Sequence, residues 1–264
     1  MVHKQELLEP YSGDKIIVPV SGGKDSTTTL CLAIAEKGRS KVIPVFNDTG
    51  WEHPITYEYF DYLKSRLNIR IYRTKGRTKN NKGNNIVEVV RNEKKWPTPN
   101  IRFCTRELKL LPFIDWYREK LYDGIIKYEV WFGMRTDESI SREKKYSGID
   151  PKELHYPDDI FPKVYNKKIS QTLRFRLPIV DWSTDEVFRY LKREGVKRNP
   201  LYDQGDERVG CYPCLISSKK ENKRVLNTEF GKKRLKTIKD LEIEIGKKYH
   251  QYETEYGYCS ICNI

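Results

Sequence analysis

The sequence predicts an α/β fold: a layered, mainly parallel sheet with helices on its faces, followed by a helical, cysteine-bearing C-terminal segment. Three observations carry this expectation. Short apolar runs alternate with helix-compatible segments through the first half, the pattern of parallel crossover units. A glycine-rich turn, Ser21-Gly22-Gly23-Lys24-Asp25-Ser26, joins the first strand to the first helix. The last quarter is basic and holds two C-x-x-C pairs.

Taken in order, strand one is Ile16–Val20. A helix runs from about Ser26 to Lys37, with Leu30, Ala33 and Ile34 on one side and Gly38 as its stop. Cys31 shares that face and reads as a small core residue. Strand two, Lys41–Asn47, ends in Asp48-Thr49-Gly50, and a second helix begins near Pro54, a favoured first-turn residue, carrying Phe60, Leu63 and Leu67 inward. Strand three is expected at Ile69–Tyr72. The polar tract Thr74–Asn85 reads as a mobile loop, and Trp96-Pro97-Thr98-Pro99 as irregular chain. A helix after Cys104 uses Leu108, Leu111, Ile114 and Trp116, and a strand follows at Val130–Gly133. Glu143–Ser170, of mixed polarity with several prolines, is expected to be a loop or lid. Ser183-Thr184-Asp185-Glu186 matches a capping box ahead of Val187, Tyr190 and Leu191, with Gly195 as the stop. The expected organisation is a nucleotide-binding unit over 1–175 and a helical segment over 176–264, packed on the same domain.

At 264 residues the chain can bury a substantial core, and no apolar run is long enough to cross a bilayer. Its start, Met1-Val2-His3-Lys4-Gln5-Glu6, lacks the apolar segment of a signal peptide, so a soluble cytoplasmic protein is expected. A net charge of +13 and a pI near 9.3 suit polyanionic partners. Basic residues concentrate in Arg70–Arg91 and Lys219–Lys248, with Tyr72 and Trp96 near the first cluster as stacking candidates. A solvated basic face is the alternative. Six cysteines include Cys211-Tyr212-Pro213-Cys214 and Cys259-Ser260-Ile261-Cys262, which in a cytoplasmic protein point to metal or redox chemistry rather than structural disulfides.

The Ser21–Ser26 turn has the composition of an anion cradle. Gly22 and Gly23 let successive N–H groups converge, the helix start adds its positive end, and Lys24 adds a full charge. Asp25 beside a phosphate suits Mg²⁺ handling or nucleotide orientation. The spacing is not that of a Walker A loop, and an ordinary strand–turn–helix junction is the competing reading. Asp48 at the carboxyl end of strand two is placed for ribose or Mg²⁺, though Asp-Thr-Gly is also an ordinary turn. Downstream, Gly133 precedes Arg135 and Arg142, which bracket Glu138 and Ser139. Arginine forks suit phosphate or sulfate oxygens, against a surface salt-bridge segment.

The chain resembles the phosphoadenosine-phosphosulfate reductase family of the PP-loop ATP pyrophosphatase superfamily. The resemblance rests on Ser21–Ser26, Asp48–Trp51 with Pro54, Cys104–Lys109, Gly133–Arg142, Pro178–Trp182 and Asn199–Cys214, in family order. It implies a fold of adenine-nucleotide alpha-hydrolase type. It also implies that Ser21, Gly22, Gly23, Lys24, Asp25 and Ser26 hold ATP phosphates, that Asp48 lies at the nucleotide, and that Gly133, Arg135, Glu138 and Arg142 border the site. Lys24, Asp25 and Cys104 are the catalytic candidates. The chain lacks the Glu-Cys-Gly-Leu-His tail of the reductases and has one cysteine, Cys104, where iron–sulfur adenylyl-sulfate reductases have two. Together with the basic charge, this resembles the sulfur-inserting branch that includes enzymes of DNA phosphorothioation.

That branch implies ATP with Mg²⁺, a [4Fe–4S] cluster, a nucleic-acid acceptor (DNA favoured) and a cysteine desulfurase or other sulfur donor. Cluster ligands would be Cys104, Cys211, Cys214 and either Cys259 or Cys262. A zinc site of Cys211, Cys214, Cys259 and Cys262 competes, although 44 residues separate the pairs. A redox pair carrying a persulfide is a third possibility. Competing functions are a sulfonucleotide reductase and a non-catalytic nucleotide- or DNA-binding subunit; a homodimer is a compatible assembly.

Overall fold

The computed structural model describes residues 15–76, 83–162 and 164–249. Five strands form one parallel sheet in the order β3-β2-β1-β4-β5: β1 is Lys15–Val20, β2 Val42–Asp48, β3 Tyr72–Lys75, β4 Tyr128–Trp131 and β5 Leu173–Arg176. β1 is central because Ile16, Ile17 and Val18 are apolar on both faces and fully buried, as an interior parallel strand requires. Its ladder to β4 ends at Ile17–Val130, two residues before Pro19, which has no N–H to donate.

Helices cover both faces. On one side α1 (Lys24–Lys37) and α2 (Pro54–Leu67) bury Leu30, Ala33, Phe60 and Leu63 against Ile16, Val18 and Phe46. Cys31 is buried there, as its face predicts. α2 ends at Asn68, which adopts the left-handed conformation. α3 (Ile86–Glu93), capped by Asn85, packs Val89 and Val90 around Trp51. A helical segment then runs through α4 (Phe103–Thr105), a π-turn (Arg106–Leu110) and α5 (Leu111–Lys120). α5 sets Phe113, Trp116 and Tyr117 on the second face of the sheet.

Several expectations shift. Strand three begins at Tyr72, because Ile69 N–H still bonds Lys64 O in the α2 cap and pairing with β2 starts at Val45–Tyr72. Consequently Thr74 and Lys75 belong to a strand; residues 77–82 of the expected loop lie outside the described residues. Strand four spans Tyr128–Trp131, and Gly133 has already turned away. The expected loop over Glu143–Ser170 instead contains the rest of α6 (Ile140–Tyr146), α7 (Pro157–Ile160) and much of α8 (Lys167–Thr172). Ser139 and Asn166 cap α6 and α8, and Ile160, Tyr165 and Ile169 pack against Phe175, so this stretch is wall rather than lid. β5 was not expected, and the division at 175/176 falls inside it.

α9 (Thr184–Arg193) starts on the expected capping box, with Ser183 and Glu186 bonding reciprocally, and Gly195 follows it with φ +64°. α10 (Lys219–Leu226) and α11 (Glu229–Ile245) complete the described chain, and Leu226, Ile238 and Leu241 join the Trp51 cluster. Trp51 also donates its indole N–H to Pro213 O (3.0 Å) and accepts from Tyr212 N–H (2.7 Å). The C-terminal segment is thereby tied across the carboxyl ends of the strands. β2 and β4 leave β1 in opposite directions, which makes the β1/β4 boundary the switch point where open α/β sheets form a crevice.

Candidate nucleotide and thiol site

A cavity of about 240 Å³ lies at that boundary. Ser21, Gly23, Lys24, Asp25 and Ser26 form one wall; Gly133, Glu138 and Arg142 a second; and Tyr202, Arg208 and Cys211–Cys214 a third. Residues far apart in sequence, expected separately to grip phosphate and to do thiol chemistry, therefore face one space.

The loop is built by local sterics. Gly22 has φ +76°, and a Cβ there would meet Thr56 Cγ2 at 2.8 Å. A Cβ at Gly133 would meet Asp25 O at 2.6 Å and Ser26 N at 2.9 Å, so only glycine lets the end of β4 approach the start of α1 this closely. Three of the loop amides are already engaged. Ser21 N–H donates to Ser26 Oγ (3.1 Å), Gly23 N–H to Ser21 Oγ (3.4 Å) and Lys24 N–H to the Tyr202 hydroxyl (2.8 Å). Tyr202 thus holds a position that a ligand oxygen would take at the α1 N-terminus.

Lys24 is 7% exposed, with Nζ 3.4 Å from Asp25 Oδ2 and 3.5 Å from Glu207 O. Burial lowers its pKa; Asp25 opposes the shift and Arg135 adds to it. Arg135 was expected to border the nucleotide. It is instead 1% exposed and behind the wall, donating to Asp25 (2.6 Å), Asp137 (2.8 Å), Trp182 O (2.9 Å) and Thr184 Oγ1 (3.0 Å). With its donors spent on protein acceptors, Arg135 is a positioning residue that fixes Asp25. Glu138 and Arg142 do reach the cavity and pair with each other, and Glu138 also accepts from Arg135 N–H (3.2 Å).

Asp48 is also occupied. Its carboxylate accepts from Gly50 N–H (2.9 Å), the Tyr57 hydroxyl (2.8 Å) and the Arg73 guanidinium, and it does not line the cavity. Burial pushes its pKa up, but these three donors outweigh burial and hold it below the ordinary value. Asp48 organises the Asp-Thr-Gly turn, the reading that competed with a ligand role.

Cys211 and Cys214 line the cavity beside Lys109, whose ammonium feels Cys211 most strongly, then Cys214, Glu52 and Cys104; these neighbours outweigh burial and raise its pKa. Cys211 is pushed up to about 12, chiefly by burial, and its sulfur sits 3.5 Å from Thr49 Oγ1. Burial likewise raises Cys104, which does not line the cavity. Among the described residues no three His, Cys, Asp or Glu side chains come together as a metal-holding group. Cys104, Cys211 and Cys214, the expected cluster ligands among the described residues, all stand within electrostatic reach of Lys109. Cys259 and Cys262, needed for either the cluster or zinc, lie outside the described residues. Tyr202, Lys109 and Arg208 were not singled out from sequence, although the matched segments Cys104–Lys109 and Asn199–Cys214 contain them.

The phosphoadenosine phosphosulfate reductase domain model matches residues 15–216. An uncharacterised protein of Escherichia phage 186 is 32% identical over 251 residues, covering 78% of this chain and 68% of that protein. The phosphoadenosine 5'-phosphosulfate reductase of Buchnera aphidicola subsp. Acyrthosiphon pisum is 29% identical over 199 residues, covering 74% and 68%. This chain spans about 36% and 47% of the length of two Methanocaldococcus jannaschii relatives. The crystal structure of phosphoadenylyl-sulfate reductase from Candida auris, at 16% identity, covers 75% of this chain and 82% of its own with a TM-score of 0.52, a likeness of fold. Among the described residues no helix is long and apolar enough to cross a membrane. With the domain matched over most of its length and the switch-point loop in place, the chain belongs to the phosphoadenosine phosphosulfate reductase family.

Proposed function

We propose that this protein uses ATP to adenylylate an acceptor oxygen and then directs sulfur to the activated centre, with a nucleic-acid backbone, DNA above RNA, as the acceptor. The observation that carries the reading is the shared cavity: Lys24 and Ser26 on one wall, Cys211 and Cys214 on another. The acceptor oxygen attacks the α-phosphorus of Mg²⁺-bound ATP, and pyrophosphate leaves with the bonding electrons. Lys24 offsets the charge that develops on it. A persulfide from a cysteine desulfurase or similar donor then displaces AMP. Attack by a second thiol on the resulting S–S bond leaves sulfur on the acceptor and a disulfide behind. Cys211 or Cys214 supplies that thiol. The net charge of +13 supports a polyanionic acceptor.

The second reading is reduction of a sulfated adenine nucleotide, favoured by the relative named as a phosphoadenosine 5'-phosphosulfate reductase. Product analysis separates the two. Purified protein is given ATP with duplex DNA and a persulfide donor or, separately, adenylyl sulfate or its 3'-phosphorylated form with a dithiol. Pyrophosphate from ATP, lowered about 100-fold or more in Lys24→Met, is the expected result. Sulfite from a sulfated nucleotide, with ATP left intact, overturns the proposal in favour of the reductase.

A further inference from the structure

We infer that the lip of the cavity formed by Arg102, Arg142, Arg208 and Lys220 seats the sugar-phosphate backbone of the acceptor; this rests on the nucleic-acid reading above. The four cations come from four separate places: the turn before α4, α6, the loop after Gly205, and α10. Arg142 and Arg208 both line the cavity and both face the same carboxylate. Glu138 pairs with Arg142 through Oε2, and its Oε1 lies 3.9 Å from Arg208 Nη2. One carboxylate between two guanidiniums leaves a positive surplus there. Arg208 keeps 63% of its side chain in solvent, and Arg102 and Lys220 are exposed.

Arg102 is steadied by Nε–H donating to Pro99 O at 2.9 Å. Burial lowers the pKa of Arg142, and the charges of Arg208 and Arg102 lower it further against Tyr146 and Asp25, so both guanidiniums lie within electrostatic reach of Arg142. Lys220 and Arg208 both act on Glu221, another lining residue. Glu207 and Glu221 offset part of the charge, but Glu221 is already paired with Arg224 (3.1 Å). Gathering like charges from distant elements around a cavity mouth is electrostatically unfavourable unless an anion completes it. In the reading above, the Ser21–Ser26 loop takes the phosphates of ATP. The lip therefore suits a second set of phosphates, and backbone contacts made by such cations fix register without reading bases.

The test is the salt dependence of binding to a 20-base-pair DNA duplex by fluorescence anisotropy, for the full chain and for Arg102→Gln/Lys220→Gln. Neither residue lines the cavity. Each lost phosphate contact removes about 0.9 from the slope of log K against log salt, so the double variant should lose about 1.8. Binding of adenosine 3',5'-bisphosphate should stay within twofold. A control substitutes Lys232, Lys236 and Lys239 with Gln; these exposed residues share the α11 face opposite its packed side. An unchanged slope in the lip variant, or a loss confined to the α11 variant, overturns the inference. So does a selective loss of adenosine bisphosphate, which would make the lip a mononucleotide subsite. Pyrophosphate release from ATP is measured in parallel. If release occurs but the lip variant keeps its slope, only the lip assignment falls; if the slope drops but no pyrophosphate forms, only the adenylylation reading falls.

Discussion

Removing the Arg135 side chain should damage both stability and nucleotide binding, although Arg135 does not line the cavity. Its guanidinium is 1% exposed and donates to four acceptors, of which Asp25 is the most enclosed partner. Asp137 is half exposed, so its pair with Arg135 adds little in water. Breaking a buried pair by deleting one member costs about 3–5 kcal/mol. With Asp137 discounted, the lower end applies, about 3 kcal/mol. For a chain of this size that is roughly 6–12 °C in Tm. Asp25 then loses the donor that orients it, and ATP affinity should fall by about tenfold or more. Urea denaturation and isothermal calorimetry of Arg135→Ala measure the two effects. Asp25→Asn and the double variant complete a cycle, in which a coupling of about 1.5 kcal/mol or more is expected for directly bonded groups. An Arg135→Ala protein that unfolds within about 1 kcal/mol of the parent and binds ATP normally would refute the positioning role.

Gly133→Ala would push a Cβ to within 2.6 Å of Asp25 O, with only backbone atoms to yield; a loss of about 1–3 kcal/mol by denaturation and weaker ATP binding are expected. Tyr202→Phe removes the hydroxyl that accepts the Lys24 N–H. The apo protein should lose about 1 kcal/mol, while ATP, supplying its own oxygen to that amide, should bind at least as tightly as to the parent. Lys24 has a lowered pKa through burial. Between its folded and unfolded pKa values the unfolded chain holds more protons, so this lysine's contribution to stability rises with pH. Its grip on an anion runs the other way: as the pH rises, ATP affinity should start to fall before pH 10.5, the ordinary lysine value, is reached. Lys24→Met should lack that alkaline limb in a binding titration.

What could be read from the sequence was locally encoded. The Ile16–Val20 run, the Ser21–Ser26 turn and the Ser183–Glu186 cap each specify their geometry within a few residues, and all three stand where expected. β5 was missed because Leu173-Arg174-Phe175-Arg176 reads as half polar. Its arginines lie over aromatic faces, Arg174 over Tyr156 at 3.9 Å and Arg176 over Trp131 at 4.2 Å, partners that only the fold supplies. β3 was shifted for a related reason: Tyr72-Arg73-Thr74-Lys75 is an edge strand with a polar face. Arg135 and Asp48 were expected at the ligand because their residue types suit phosphate, ribose and Mg²⁺. Gly50 and Asp137 are local partners, in keeping with the turn and salt-bridge readings, but the others come from α1, α2, β3 and α9 or its approach, which the short motifs do not contain. The meeting of Lys24 with Cys211 and Cys214 is likewise tertiary, created when the segment after Asn199 crosses the strand ends.

Reversible adenylylation is the core of this account, and isotope exchange between labelled pyrophosphate and ATP reports it most directly. With duplex DNA present and the sulfur donor withheld, label should appear in ATP, depend on the DNA, and vanish in Lys24→Met. No exchange in the intact protein under these conditions, with sulfite released from a sulfated adenine nucleotide by the same preparation, would contradict it.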